Sequence, residues 1–459
     1  MASKYDAIVV GTGQAGPSLA VRLAGTGMKV AIIERNRFGG TCVNNGCIPT
    51  KTLVASARAA HVARRASDYG VTIRGPIAVD MKKVKMRKDA LVRQSSEGVE
   101  KWLRNTQNLT VIEGHARFAD AHRVRVGDEL LEGNKFFINV GGRASIPPIR
   151  GIDEVSYLNN STMMDVDFLP EHLIVIGGSY VGLEFAQMYR RFGSEVTVVE
   201  RGPRLIKSED EDISENIKTI LEGEGIKIRL SAECIAFEKH GDKVAVQVDC
   251  SSGDKIVIGS HVLLAAGRVP NTNDLGVGQA GIKVDKHGYI QVDDQLRTNV
   301  PGIYALGDCN GRGAFTHTAY NDYEIVAANL LDGNHRRVSD RITAYALYVD
   351  PPLGRAGMTE TEVRKSGRKA LIGKLPMTQV GRAREKGETD GFMKILVDAE
   401  TKKILGALLL GIECDEVIHS ILDVMYANTP YTVIQRAMHI HPTVSELIPT
   451  MLEELKPLE

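Results

Sequence analysis

Cys42 and Cys47 stand with four residues between them in FGGTCVNNGCIPTKTLVASA, Phe38 to Ala57. Thiols so close can form a small disulfide ring. The second lies at the start of a helix-like run, and a helix N-terminus lowers a thiol's pKa and favours the thiolate. Such a pair can accept two electrons and pass them on by thiol–disulfide exchange. Half a zinc site and a pair of inert structural thiols are the other readings. Zinc needs a second pair of ligands, and Cys234, Cys250, Cys309 and Cys414 are scattered along the chain. Lys51 follows Cys47 by one helical turn, so its ammonium can point at the same place.

Two glycine-rich phrases carry a second chemistry. YDAIVVGTGQAGPSLAVRLAGTGMKVAIIER (Tyr5–Arg35) and HLIVIGGSYVGLEFAQMYRRFGSEVTVVER (His172–Arg201) echo each other. Each reads as strand, glycine turn, helix and second strand, closing on Glu-Arg: Glu34-Arg35 and Glu200-Arg201. Gly11, Gly13 and Gly16 fit G-x-G-x-x-G. In the second copy Gly177, Gly178 and Gly182 depart from it, because Ser179 takes the middle glycine's place. In both, 23 positions separate the first glycine from the glutamate. Glycines let the backbone approach a pyrophosphate at a helix N-terminus, and the carboxylate then meets ribose hydroxyls. Two dinucleotide sites imply two cofactors that exchange electrons.

Around these motifs the chain must build elements that hold them. The 459 residues are 43% apolar and 25% charged, ordinary for a globular protein of several domains. Lys plus Arg and Asp plus Glu each number 57, so no net field favours nucleic acid or an anionic membrane. The basic run Met81–Lys88 is expected to open a helix with a solvated face. No signal-peptide pattern and no transmembrane-length apolar run appear, so a cytoplasmic protein is expected. The expected fold class is α/β: two Rossmann-like dinucleotide-binding domains and a separate C-terminal α+β domain. The expected boundaries are 1–150 for the first part of one dinucleotide-binding domain, 151–270 for the second, inserted one, 271–336 for the rest of the first, and 337–459 for the α+β domain. Two similar strand-end phrases, FFINVGGRASIPP and VLLAAGRVPN, close the two nucleotide units, and IYALGDCN returns later with Asp308 at a strand end.

The phrases GTGQAG, GGTCVNNGCIPTK, GGSYVGLEFAQ, AAGRVPNT, YALGDC and HPTVSE closely resemble the pyridine nucleotide–disulfide oxidoreductases, from end to end and in the family's order. The resemblance implies an FAD domain at 1–150 and 271–336, an inserted NAD(P) domain at 151–270 and an α+β interface (dimerisation) domain at 337–459, assembled as a homodimer whose active site is shared between subunits. It implies that Cys47 contacts the flavin and Cys42 exchanges with substrate. It pairs Lys51 with Glu184 near the flavin and makes Tyr180 the aromatic that covers the nicotinamide pocket. His441 and Glu446 match an acid/base pair contributed across the dimer; a histidine near neutrality can relay a thiol proton, and the glutamate orients its ring. His439 makes H-x-H with His441, and a metal-free reading is preferred there. Further matching positions for FAD are Gly40, Thr41, Gly141 and Asp308 beside Gly11, Gly13, Gly16, Glu34, Arg35 and Lys51. Those for the nicotinamide nucleotide are Gly267 beside Gly177, Gly178, Tyr180, Gly182, Glu184, Glu200 and Arg201. A carboxylate at 200 favours NADH, because it binds a 2′-hydroxyl and repels a 2′-phosphate; Arg201 and Arg204 leave NADPH open.

Within the family, NGRGAFTHTAYNDYEIV and YVDPPLGRAGMTETEVRKSG depart from dihydrolipoamide dehydrogenases. GTCVNNGCIPTKTLVASA and FTHTA resemble mercuric reductases, but the tail MLEELKPLE lacks the vicinal cysteines that would pass soft Hg(II) inward. PPLGRAGMTE and PYTVIQRAMHIHPTVSE look most like the reactive-chlorine-resistance flavoproteins, which reduce hypothiocyanous acid or Cu(II). The acceptor expected is therefore a small thiol-reactive oxidant, a disulfide or a metal ion. Dihydrolipoamide dehydrogenase, a flavoprotein subunit without turnover, and a flavin reductase that bypasses the disulfide remain as alternatives.

Overall fold

A computed structural model describes residues 2–232, 235–248 and 255–459; Cys234 and Cys250 lie outside them. The first echo forms a strand Ser3–Val10, a helix Gly16–Ala24 and a strand Val30–Glu34. Ser3–Val10 pairs in parallel with Val30–Glu34 on one side and with Glu129–Ile138 on the other. Leu109–Glu113 extends the sheet beyond Val30–Glu34, and Ile303–Ala305 adds a further parallel strand beside Glu129–Ile138. The strand order thus reverses beside Ser3–Val10, which leaves a crevice at its C-terminal end, the usual ligand position in such sheets. Ile8, Val9 and Ile32 are fully buried, as expected of parallel strands covered on both faces.

The second echo repeats this order. Lys227–Arg229, Glu195–Val199, His172–Ile176 and His261–Leu264 lie side by side, all parallel. This unit is inserted in the chain before Ile303–Ala305 returns to the first sheet. Its helix Tyr180–Phe192 packs against the helix Cys47–Arg64 of the first unit. A two-stranded antiparallel bridge, Gly142–Ala144 with Arg268–Pro270, also joins the chain on either side of the insert.

The C-terminal part is an antiparallel sheet in the order Ala344–Leu347, Leu353–Gly357, Ile404–Leu410, Phe392–Asp398, Ala370–Pro376, Lys456–Pro457. Helix Cys414–Tyr426 covers one face through Val417, Ile418 and Ile421. The basic run at Met81–Lys88 begins the helix Met81–Arg104, with one departure from the solvated face expected of it. Lys88 is buried, because its ammonium donates to the Met164 carbonyl at 2.7 Å and pairs with Asp89. No helix among the described residues is long and apolar enough to cross a membrane.

Candidate active site

The two glycine turns share one hydrogen-bond pattern. Gly11 N donates to the Ile33 carbonyl at 2.8 Å, and Gly177 N to the Val199 carbonyl at 2.9 Å. In the first turn Glu34 accepts from Thr12 N at 3.0 Å and from Asn36 N at 2.8 Å. In the second Glu200 accepts from Gly178 N and Gly202 N, both at 2.6 Å. Gly11 and Gly177 both have positive φ, 103° and 116°, which side chains rarely adopt. A Cβ on Gly16 would sit 2.2 Å from the Gly11 carbonyl, and one on Gly182 would sit 2.1 Å from the Gly177 carbonyl. The shifted second glycine changes none of this, since Gly178 faces the Glu200 side chain and Ser179 stands at the residue just before the helix.

The cysteine segment is docked on the first turn. Gly39 N donates to Thr12 Oγ1 at 3.2 Å, and a Cβ on Gly40 would meet Gly13 Cα at 2.8 Å. Thr41 and Cys42 lie in the short helix Gly40–Asn44, and Cys47 is the first residue of the helix Cys47–Arg64. Pro49 is tolerated in its first turn, where a missing N–H leaves no bond unmade. Cys47 Sγ lies 3.0 Å from Thr316 Oγ1. The Cys47 thiol is pulled down to about 6, first by the hydrogen bond from Cys42. The Thr316 hydroxyl and Lys51 ammonium act in the same direction, against burial and the Glu184 carboxylate. Cys42 is pushed up by its bond to Cys47 and by burial. Within the pair the charge is therefore favoured on Cys47 and the proton on Cys42.

Lys51 Nζ donates to both Glu184 oxygens, at 2.9 and 2.8 Å, and lies 4.5 Å over the Tyr348 ring. Glu184 also accepts from Tyr348 N at 3.0 Å and is buried. Tyr180 opens the same helix, and its ring lies 5.6 Å from Phe315. Gly141 and Gly267 flank the two-stranded bridge with open space at their Cβ positions. Asp308 stands 3.5 Å from Arg268, and burial pushes its carboxyl up against that guanidinium. Arg35 pairs with Asp274 at 2.9 Å, and Arg201 is exposed. Among the described residues the other thiols, Cys309 and Cys414, are buried and pushed up by that burial.

His441 stands apart from this group within one chain. Its Nδ1 is 2.9 Å from Glu446 Oε2, and its side chain is 80% exposed. Met438 and Ile440 beside it are 99% and 79% exposed. Among the described residues, no hydrogen bond or ion pair joins His441 to the cysteines. His439 bonds to the Ala437 carbonyl instead, and no cluster of three metal-ligating side chains occurs among the described residues.

Sequence reasoning missed Thr316, Asn139 and Thr12. Asn139 Oδ1 accepts from Gly16 N at 3.0 Å while its amide donates to the Leu306 carbonyl at 2.9 Å, so it ties the first turn to the returning strand. A polar residue ending the apolar run FFIN was its available signal. Thr316 had none, because its partner Cys47 is 269 positions away.

Comparison with known proteins completes the assignment. The chain matches the family described as pyridine nucleotide-disulphide oxidoreductase over residues 5–322, and that family's dimerisation domain over residues 343–452. It is 37% identical to the probable pyridine nucleotide-disulfide oxidoreductase RclA of Escherichia coli strain K12, over 99% of this chain and 100% of that protein. It is 33% identical to a dihydrolipoyl dehydrogenase of Thermus scotoductus, over 96% of this chain and 95% of that one. A solved structure, the Cu(II) complex of HOCl-induced flavoprotein disulfide reductase RclA from Escherichia coli, superposes with a TM-score of 0.90 at 36% identity, covering 98% of this chain and 99% of that one. The chain belongs to the pyridine nucleotide–disulfide oxidoreductases, the flavoprotein disulfide reductases that use FAD and NAD(P)H.

Proposed function

We propose that this protein passes electrons from NADH through FAD and a Cys42–Cys47 disulfide to a small thiol-reactive oxidant, with hypothiocyanous acid as the acceptor. The observation that carries this reading is the pair of thiols at a helix start, with the Thr316 hydroxyl 3.0 Å from Cys47 Sγ and the Lys51 ammonium favouring charge there. The first turn fits FAD: a positive-φ glycine, a helix N-terminus and a carboxylate on the neighbouring strand form the cradle a pyrophosphate and ribose need. Gly11, Gly13, Gly16, Glu34, Arg35, Gly40, Thr41, Lys51, Gly141 and Asp308 would hold it. Bound there, FAD supplies the two-electron relay between nicotinamide and disulfide. Gly177, Gly178, Tyr180, Gly182, Glu184, Glu200, Arg201 and Gly267 would hold the nucleotide. Glu200 supports NADH, and Arg204 donates to the Lys207 carbonyl at 3.1 Å instead of standing free for a phosphate.

The chain's own thiols then carry the chemistry. Cys42 keeps its proton in the pair and needs a base before it can attack. His441 of the partner subunit, oriented by Glu446, takes that role in a homodimer. Attack of the Cys42 sulfur on the sulfur of HOSCN gives Cys42–S–SCN and water. The Cys47 thiolate then displaces SCN⁻ and closes the disulfide, so one oxidant is reduced by two electrons per dithiol. The reaction needs a reducing compartment, and the cytoplasm is the setting proposed.

The segments that depart from lipoamide enzymes lie beside the redox pair, which supports a different acceptor. Thr316 from the first touches Cys47, and Tyr348 from the second lies under Lys51. The likeness to a reductase solved as a Cu(II) complex supports Cu(II) as a second acceptor. The test is NADH consumption with hypothiocyanous acid, with lipoamide, Cu(II) and NADPH run alongside. Fast oxidant turnover that is lost in Cys42→Ser, with no lipoamide turnover, is expected. Fast lipoamide turnover, or full activity in Cys42→Ser, would refute the reading.

A further inference from the structure

Tyr345 belongs to the C-terminal strand Ala344–Leu347, yet its ring lies flat on Phe315, with centroids 5.1 Å apart and 12° between planes. The preceding residue grips the same segment, with the Ala344 carbonyl 2.7 Å from His317 Nε2. One strand therefore holds residues 315 and 317 on both sides of Thr316, whose hydroxyl touches Cys47. Phe315 also caps the helix Thr316–Leu331 and neighbours Tyr180.

Tyr345 is itself held from the nucleotide domain. Its hydroxyl donates to Glu209 Oε1, and Arg355 Nη1 lies 3.4 Å from both groups. The Arg355 guanidinium also stands over the Tyr345 ring at 5.5 Å. Glu209 is 2% exposed, and its second oxygen has no partner among the described residues. Its neighbour Asp210 accepts from Lys394 and Glu360 N, both at 2.9 Å, and from Thr361 N at 3.1 Å, so this loop is pinned to the C-terminal domain. A buried carboxylate with an unpartnered oxygen is costly. Phenylalanine at 345 would stack on Phe315 equally well, so packing alone does not account for the hydroxyl–carboxylate pair.

We propose that Tyr345, fixed by Glu209, is a positioning residue that keeps the Thr316 hydroxyl on the Cys47 thiolate. The nucleotide-domain loop and the C-terminal strand thereby set the thiol's environment without touching it. The inference rests on the reading of Cys47 as the redox thiolate.

The test uses the reduced holoenzyme, with the Cys47 thiolate followed from about pH 5 to about pH 9 by the long-wavelength charge-transfer absorbance a thiolate gives against bound flavin. Tyr345→Phe and Glu209→Ala should each move the Cys47 profile up by about half to one pH unit, roughly two- to fivefold less thiolate near pH 6. Thr316→Val should move it at least as far, and adding Tyr345→Phe to it should move it no further. Flavin absorbance and thermal midpoint check the fold; should one variant lose its flavin, the other decides. An unchanged profile in the decisive variant or in Thr316→Val, or additive shifts in the double variant, overturns the proposal. Full turnover by Cys42→Ser would instead defeat the disulfide reading, which this profile does not measure.

Discussion

The Cys47 thiol is lowered first by the hydrogen bond from Cys42, and its charged neighbours act on it with opposite signs. Lys51 favours the charge and Glu184 opposes it, although the two are themselves paired at 2.8 Å. Removing either should therefore move the thiol in opposite directions. Lys51→Met is expected to raise the midpoint of the Cys47 thiolate titration by about half a pH unit. Glu184→Gln leaves the ammonium uncompensated and should lower it by a similar amount. A shift of the same sign in both variants would contradict the charge assignment. Lys51 was legible because one helical turn separates it from Cys47. Glu184 came from resemblance alone, and Thr316 from neither, since FTHT has no spacing that points to a thiol.

At the scale of elements, the two glycine turns are the same device built twice. Their glutamates bond the same two backbone positions, and their third glycines sit equally close to the first. The obstacle to a side chain there is backbone, which cannot swing aside. Gly182→Ala should lower kcat/KM for NADH by on the order of 100-fold while the protein stays yellow. Gly16→Ala should instead lose flavin absorbance on purification. Retained flavin in the second variant with impaired NADH use would mean that the two turns serve the opposite cofactors. The irregular spacing of Gly177, Gly178 and Gly182 looks like a weaker motif in the sequence. In space it is equivalent, because the position held by Gly13 in one turn is held in the other by Ser179, the residue just before the helix.

Across the whole molecule, buried charges pin the nucleotide unit to the C-terminal sheet. Lys394 meets Asp210, Asp212 and Glu360, and Arg191 meets Asp350 and Glu224. Glu209 and Asp210 sit side by side in this junction and titrate in opposite directions. Burial pushes Glu209 up to about 7, while Lys394 and two N–H groups hold Asp210 down at about 2 against its burial. The folded state thus binds a proton at Glu209 more tightly than the unfolded chain. Its stabilisation is full below the ordinary value of 4.5 and is lost as pH rises to about 7. That of Asp210 is present above 3.8 and is lost as pH falls towards 2. Glu209→Gln should remove a decline of up to about 3 kcal/mol between those upper limits, read as a flatter urea midpoint against pH. An unaltered pH dependence would show that Glu209 keeps its charge when folded.

Sequence alone determined the local chemistry: the cysteine pair, the twin glycine turns with their glutamates, and the order of the units. These depend on short-range spacing, which 3.6-residue helices and alternating strands convert directly into geometry. It also marked His441 and Glu446, which meet within one short segment. Tertiary structure decided what spacing does not encode. Thr316 and Cys47 meet across 269 positions, Tyr345 and Glu209 across 136, and Asn139 and Gly16 across 123. Each pair is made by strands and helices from different units packing together, and only that packing determines which polar groups end up facing one another.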